Sequence, residues 1–469
     1  MITMRVSGMT IRAPFVLFWL LELAICMLAV LIAVMVRFVG DTALISDQFD
    51  SPWLSTLAFG GIMTISLVCF GLYQSHFRGG ALGVLLRIAL GFAAGGVALA
   101  LFYYLVPSAY LGRGVTGIAM GISFFVIGTL RPLYLPIVEQ KNLKRRLAIV
   151  GCGEDASTID RRLKRRADRR GFDIVHYLNF EQLESPAVTS HEVIDPPPSL
   201  LHYCRQHGVQ ELVLALSDQR AHIPSDQLIE CRLAGIDVIE LISFFEREAG
   251  FLPLNLVRPS WFIYAGGFRS GRAWDAAKRA VDLLASGLLL LISWPVMLLT
   301  AMAILIESGA GAPVFYRQER VGYGGLPIGV LKFRSMRVDA EAAGKAVWAT
   351  ANDDRITRVG RVIRALRIDE LPQILNVFKG DMSLVGPRPE RPSFVAELSE
   401  KIPYYAERHQ VKPGVTGWAQ VSYPYGASED DARCKHEFDL YYVKNRSLFL
   451  DLFILLQTVE VVLLGKGAR

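Results

Sequence analysis

The sequence predicts a membrane α-helical protein joined to α/β parts. The expected pieces are a four-helix transmembrane bundle, a Rossmann-like parallel-sheet domain, and a mainly α carboxy-terminal domain with a re-entrant membrane helix hairpin. Three observations predict this. Of the 469 residues 52% are hydrophobic and 20% charged, with mean hydropathy +0.34, too apolar for an ordinary soluble chain. The excess is gathered into runs at roughly 14–36, 53–73, 81–105, 114–137 and 281–306. A strand–helix alternation and then a stretch dense in Arg, Gly and Pro fill the rest. The expected domains are 1–140 (helices), 141–250 (sheet), a linker 251–274, and 275–469, with the hairpin at about 278–308.

Each of the first four runs is about 20 residues or more, enough to cross a hydrocarbon core about 30 Å thick. The first is too long for a cleavable signal and has no clear small-residue cleavage site after it. Arg5 and Arg12 precede it, while Asp41, Asp47 and Asp50 follow it and Arg78 lies in the second loop. Arg131, Lys141, Lys144, Arg145 and Arg146 come at or past the end of the fourth. Positive charge collects on the cytoplasmic side, so the amino terminus is expected inside and the chain returns to the cytoplasm.

The fifth run carries Pro295 just after Ser293 and Trp294. Proline removes a helix donor and crowds the preceding turn. Basic residues flank both ends: Lys278 and Arg279 before, Arg317, Arg320, Lys332 and Arg334 after. That symmetry predicts a hairpin broken at Ser293 and Pro295 that enters one leaflet and returns. The alternative, a kinked spanning helix, places everything after 306 on the other side. The last apolar run, 448–464, is interrupted by Asp451, Gln457 and Glu460, and reads as an interfacial or packed helix.

In the middle, an apolar strand from Arg146 to Val150 runs into Gly151, Gly153 and Ala156, a glycine turn of the kind that exposes N–H groups to phosphate. Further strands are expected at 172–177, 211–215 and 236–241. The acidic residue that would hold a ribose at the end of the second strand is not evident, since Asn179 and Phe180 stand there, so no dinucleotide-binding residue is assigned. The basic run Arg161 to Arg166 reads as a solvated helix face.

Six cysteines and eight histidines are scattered without metal-ligand or redox spacing. The net charge of +6 lies beside apolar runs, which favours anionic lipid and phosphate as partners and argues against nucleic acid.

Polar motifs crowd the carboxy-terminal stretch. Arg317, Arg320 and Gly322 come first, then Lys332, Phe333, Arg334, Ser335 and Met336. Arg364, Arg367, Asp369, Glu370 and Gln373 follow, then Gly386, Pro387, Arg388 and Pro389, and finally Lys412, Gly414, Thr416, Gly417 and Trp418. Arginines fork onto phosphate oxygens and glycines admit close backbone. A carboxylate among them can hold Mg²⁺ or attack phosphorus.

On these motifs residues 275–469 resemble the bacterial sugar transferases, the monotopic phosphoglycosyl transferases. The front half resembles the large subgroup, which primes colanic acid, O-antigen or exopolysaccharide synthesis. The resemblance implies transfer of a hexose-1-phosphate from a UDP-sugar to undecaprenyl phosphate, with release of UMP. It implies Asp369 as nucleophile, Glu370 as metal or proton partner, Mg²⁺ held by Asp369 and Glu370, and Arg388, Arg364, Lys332 and Arg334 as substrate-phosphate contacts. It places the protein in the bacterial inner membrane with its catalytic domain on the cytoplasmic face, and leaves a homodimer open. Arg367 and Ile368 depart from the Ser or Thr and Leu that often precede the family's acidic pair. Two rivals remain. A nucleotide-sugar dehydratase needs a Tyr-x-x-x-Lys pair, and Tyr441 and Lys444 have the wrong spacing. A non-catalytic membrane scaffold would be expected to have lost part of the acidic pair or its arginines.

Overall fold

The computed structural model describes residues 3–463 apart from 7–8, 39–51, 71, 73–80, 139–143, 165, 170, 189–190, 218–223, 269–270, 310, 338–354, 425 and 427. Asp41, Asp47, Asp50, Arg78 and Lys141 lie outside the described residues. The chain divides into two compact units, Met1–Val257 and Arg258–Arg469.

In the first unit an antiparallel hairpin, β1 (Thr3–Val6) and β2 (Met9–Arg12), leads into four helices. These are α1 (Ala13–Phe38), α2 (Pro52–Cys69), α3 (Ala81–Leu105) and α4 (Arg113–Val138). Cys26, Phe59, Met63, Leu67, Ile88 and Ile127 form the inner seam, while Leu17, Leu31, Trp53, Leu101 and Phe125 face outward. Such a two-sided apolar helix belongs in lipid. Small residues let the helices close up: a Cβ on Gly95 would stand 2.7 Å from the Met63 sulfur. Three of these segments, Leu17–Phe38, Gly83–Leu105 and Arg113–Arg131, are long and apolar enough to cross a membrane, and Trp53–Val68 is a shorter apolar helix. The fourth such helix is Arg272–Ser308, in the second unit.

Arg131 is not a free loop charge. It is buried inside α4, pairs with Glu22 of α1 at 3.1 Å and donates to the Leu72 carbonyl at 2.9 Å. A charge among apolar helices persists only when paired in this way. Arg145 is likewise spent, on Glu211 and Glu248.

The rest of this unit is a five-stranded parallel sheet in the order β5-β4-β3-β6-β7. Its strands are β3 (Arg145–Val150), β4 (Phe172–Leu178), β5 (Val193–Ile194), β6 (Glu211–Leu214) and β7 (Asp237–Glu240). The connecting helices are α5 (Glu154–Arg162), α6 (Leu200–His207), α7 (Ser225–Leu233) and α8 (Leu241–Ala249). β3 lies central and reads as a continuous apolar run because both its faces are covered. The basic run begins on α5, where exposed Arg161 pairs with exposed Glu154 and Arg162 lies over the Phe251 ring.

The second unit runs α9 (Pro259–Tyr264), α10 (Arg272–Ser308), β8 (Phe315–Val321), β9 (Pro327–Phe333), α11 (Arg358–Ala365), α12 (Gln373–Lys379), β10 (Ser383–Val385), α13 (Pro392–Lys401), β11 (Gly414–Thr416), α14 (Trp418–Ser422), α15 (Glu429–Asn445) and α16 (Leu448–Leu463). The expected break at Ser293 and Pro295 does not end α10, which continues as one element with Pro295 inside. Proline deletes one donor, and the remaining helix bonds carry the chain past it.

Both ends of α10 are fastened to the same unit. Near its start Arg279 donates to the Val377 and Phe378 carbonyls at 2.6 Å each, and Asp282 accepts from Ser383 Oγ and the Leu384 N–H. Near its end Ile304 packs on Phe333 and Ile363, and Glu307 accepts from the Arg358 N–H at 2.7 Å, capping α11. Between them Leu284, Leu288, Leu291, Ile292, Trp294 and Leu298 are exposed. The final run is a packed helix. Leu450, Phe453 and Ile454 are buried, and Asp451 takes Lys278 at 2.6 Å and the Tyr442 hydroxyl at 2.8 Å.

Candidate active site

Asp369 and Glu370 sit on a single 3-10 turn, Ile368–Glu370, entered through Arg367 in the left-handed region at φ 59°. A non-glycine residue there carries strain that the surroundings must hold. β9 and α12 supply the hold. Asn376 on α12 accepts from the Leu331 N–H at 2.9 Å and donates to the Gly329 carbonyl at 2.8 Å, locking helix to strand.

That lock brings Lys332 to Glu370, Nζ to Oε1 at 2.9 Å. Arg388 reaches the same oxygen from the turn after β10, Nη2 to Oε1 at 2.9 Å. The turn is held by backbone contact with the Lys412 segment. The Gly386 N–H donates to the Thr416 carbonyl, the Gly414 N–H donates to the Pro387 carbonyl, and a Cβ on Gly386 would lie 2.3 Å from the Lys412 carbonyl oxygen. The glycines of these two motifs are therefore required by chain crossing.

The two carboxyls differ in state. Burial pushes Glu370 up, but Arg388 and Lys332 outweigh it and hold the group far below the usual carboxylate range. Burial and the neighbouring Glu370 charge push Asp369 up, against Lys332, Arg364 and Arg367. Burial also lowers Lys332, which Glu370 opposes. Asp369 accepts no hydrogen bond among the described residues, so one carboxylate is clamped and its neighbour is left open. Perturbed, unequal neighbours of this kind mark reactive sites.

Of the residues expected here, Lys332, Asp369, Glu370 and Arg388 come together, and Arg364 acts on Asp369 through its charge. Arg334 does not join them and lines a separate cavity. Sequence reading missed Arg408, which is buried, pairs with Asp439 at 2.6 Å and donates to the Arg388 carbonyl at 3.1 Å, fixing the arginine's backbone. Burial pushes Asp439 up to about 6, with Arg408 opposing. Asp439 lies in the buried run 436–440 of α15, and a carboxylate in such a run was the available signal.

Sequence reading also missed Glu181. Its Oε2 accepts the N–H groups of Cys152 and Gly153 at 3.0 and 2.9 Å, and its Oε1 accepts from the Ser217 N–H at 2.7 Å. The glycine turn of the sheet domain is thus already filled by the chain's own carboxylate.

Residues 273–465 match the family described as bacterial sugar transferase. An Aeromonas hydrophila protein named UDP-N-acetylgalactosamine-undecaprenyl-phosphate N-acetylgalactosaminephosphotransferase is 44% identical over 52% of this chain, and the match spans 56% of that relative's length. A Caulobacter vibrioides UDP-glucose:undecaprenyl-phosphate glucose-1-phosphate transferase is 45% identical over 42% of this chain and 73% of its own. A Xanthomonas campestris pv. campestris protein of the same name is 30% identical over 88% of this chain and 87% of its own. The second unit's match to the family and the near end-to-end match to the last relative place the chain in the bacterial sugar transferase family.

Proposed function

We propose that this protein transfers a hexose-1-phosphate from a UDP-sugar to undecaprenyl phosphate, as the first membrane step of a polysaccharide. The observation that carries the reading is the open Asp369 carboxylate beside the clamped Glu370. An Asp369 oxygen attacks the β-phosphorus, an oxygen–phosphorus bond forms, and the bond to the bridging oxygen breaks as UMP leaves with the electron pair. An oxygen of the lipid phosphate then attacks the same phosphorus, and the Asp369 carboxylate is released. Two like charges at 4 Å repel by about 4 kcal/mol at an effective dielectric near 20, so Lys332 and Arg388 serve to offset repulsion as well as to orient.

Mg²⁺ fits this pair. It is commonly held by one or two carboxylates plus substrate phosphates, and Glu370 keeps Oε2 clear of the Lys332 and Arg388 bonds. Bound there, it would neutralise charge on the diphosphate. The Xanthomonas relative, matched nearly end to end, is named for glucose, which supports a plain hexose as the group transferred.

α10 is read as re-entrant, with the catalytic unit on the cytoplasmic face of the inner membrane. A straight helix of its 37 residues would span about 55 Å, yet both ends bond to one small unit and the middle is apolar and exposed. The sheet domain is read as a Rossmann-like fold closed to dinucleotides by Glu181.

The test is UMP release by the full chain in nanodiscs with undecaprenyl phosphate, Mg²⁺ and a panel of UDP-sugars. Lipid-dependent UMP from one donor, lost in Asp369→Asn, is expected. No UMP from any donor, in folded protein, favours a scaffold. A thiol probe near position 340 should be unreactive from outside the cell, and reaction there overturns the re-entrant placement.

A further inference from the structure

A second cluster of cations stands apart from Glu370. After β9 the chain turns so that the Arg334 N–H bonds the Val314 carbonyl, and residues 335–337 run beside 355–357 through the Thr357 to Ser335 and Arg337 to Arg355 backbone bonds. This lays Arg334 and Arg337 against Arg358 and Arg361 of α11. The four guanidinium groups line a cavity of about 760 Å³ together with Glu307 and Ser308, the last turn of α10.

Arg334 is 7% exposed, and its Nε and Nη1 are buried with no hydrogen-bond partner among the described residues. Guanidinium groups repel one another, and buried N–H donors without acceptors are unfavourable. Both costs vanish if a multiply charged oxyanion enters, since a phosphate accepts several forked bonds at once. Among the described residues the acidic neighbour that lines the cavity does not supply this, because Glu307 accepts backbone N–H groups of Arg358 and Val359. The cavity's wall says which phosphate. It is built on the end of α10, where Ile306, Leu299 and Met302 are exposed. A phosphate arriving there can carry an acyl or prenyl tail along α10.

We infer that the four-arginine cavity binds the phosphate of a membrane lipid, at a position separate from the Asp369 and Glu370 centre. The lipid character of the ligand rests on the re-entrant reading of α10; the anion site itself rests on the cavity.

The test uses the full chain with Asp369→Asn, so that binding is read without turnover and failure of the proposed chemistry does not affect it. Nanodiscs of phosphatidylcholine doped with a polyprenyl monophosphate or with phosphatidylglycerol are analysed by native mass spectrometry for retained lipid. Retention of either doped lipid, cut about tenfold by Arg334→Gln and by the surface change Arg358→Gln, is expected, and which of the two is retained identifies monoester or diester as the headgroup. Because Arg334 is buried, Arg358→Gln alone decides if the first variant misfolds. Equal retention by wild-type and Arg358→Gln chains overturns the site. So does a site occupied by soluble UDP or inorganic phosphate, with affinity sensitive to Arg358→Gln, while lipid retention is not.

Discussion

Two carboxylates in this molecule face clusters of donors, and they are put to opposite uses. Glu181 accepts three backbone N–H groups in the glycine turn of the sheet domain, and nothing about it is left open. Glu370 accepts two side-chain cations, and the residue before it, Asp369, is a second carboxylate with no hydrogen bond of its own among the described residues. The first arrangement is complete. The second is balanced only in part: Arg388 and Lys332 depress Glu370, while burial and the Glu370 charge keep Asp369 raised. An anion site becomes reactive when one charge is satisfied at its neighbour's expense, and becomes structural when every donor is used.

The largest test of this contrast is Asp369→Asn. It should cut transfer by at least about a thousandfold while the protein stays folded in membranes, measured as UMP release. Glu370→Gln comes next. It strands Lys332 and Arg388 and should slow kcat by about 10²–10³-fold. It should also move the acid limb of the pH–rate profile. In the proposed mechanism Asp369 must be ionised to attack, and its raised pKa makes activity fall as pH drops through that value. Removing the Glu370 charge lowers the Asp369 pKa, so the limb shifts to lower pH. A limb that stays fixed would mean that Asp369 does not set it.

Arg408→Leu touches no substrate but releases the Arg388 backbone, and should cost about tenfold or more in kcat through misplacement. The smallest effect on turnover is expected from Glu181→Ala. It should leave transfer unchanged yet destabilise the sheet domain by about 1–3 kcal/mol, read as a lower Tm. Added acetate should restore the Tm of this variant more than chloride does. No recovery would deny that the turn binds an oxyanion.

That the cluster at Glu370 would gather was legible because its residue types suit phosphate chemistry. Lys332, Asp369, Glu370 and Arg388 sit far apart in sequence, yet each lay in a motif whose composition pointed to phosphate. Four of the sheet's described strands were legible from apolar runs and fall within a residue or two of expectation, while the two-residue edge strand β5 was not expected. Other features needed three dimensions. Arg334 is two residues from Lys332 and was grouped with it, but β9 ends at Phe333 and the chain changes partner there. Arg131 and Arg145 read as loop charges because nothing in one dimension reveals that Glu22 or Glu211 lies opposite. Glu181 was overlooked because an acid was sought at the strand end facing a ribose, and it comes three residues past β4 facing the turn. Pro295 marks a lost hydrogen bond, which is weaker than a helix end.

The filled glycine turn bears on how this protein meets a changing cell. A domain that depends on a soluble nucleotide gains stability with the logarithm of that nucleotide's concentration, and loses it under starvation. Here the occupant is tethered by the chain, at an effective concentration set by a short covalent path. The sheet domain therefore carries its counter-anion from synthesis onward, and its stability is decoupled from the nucleotide pools that the other unit is read as consuming.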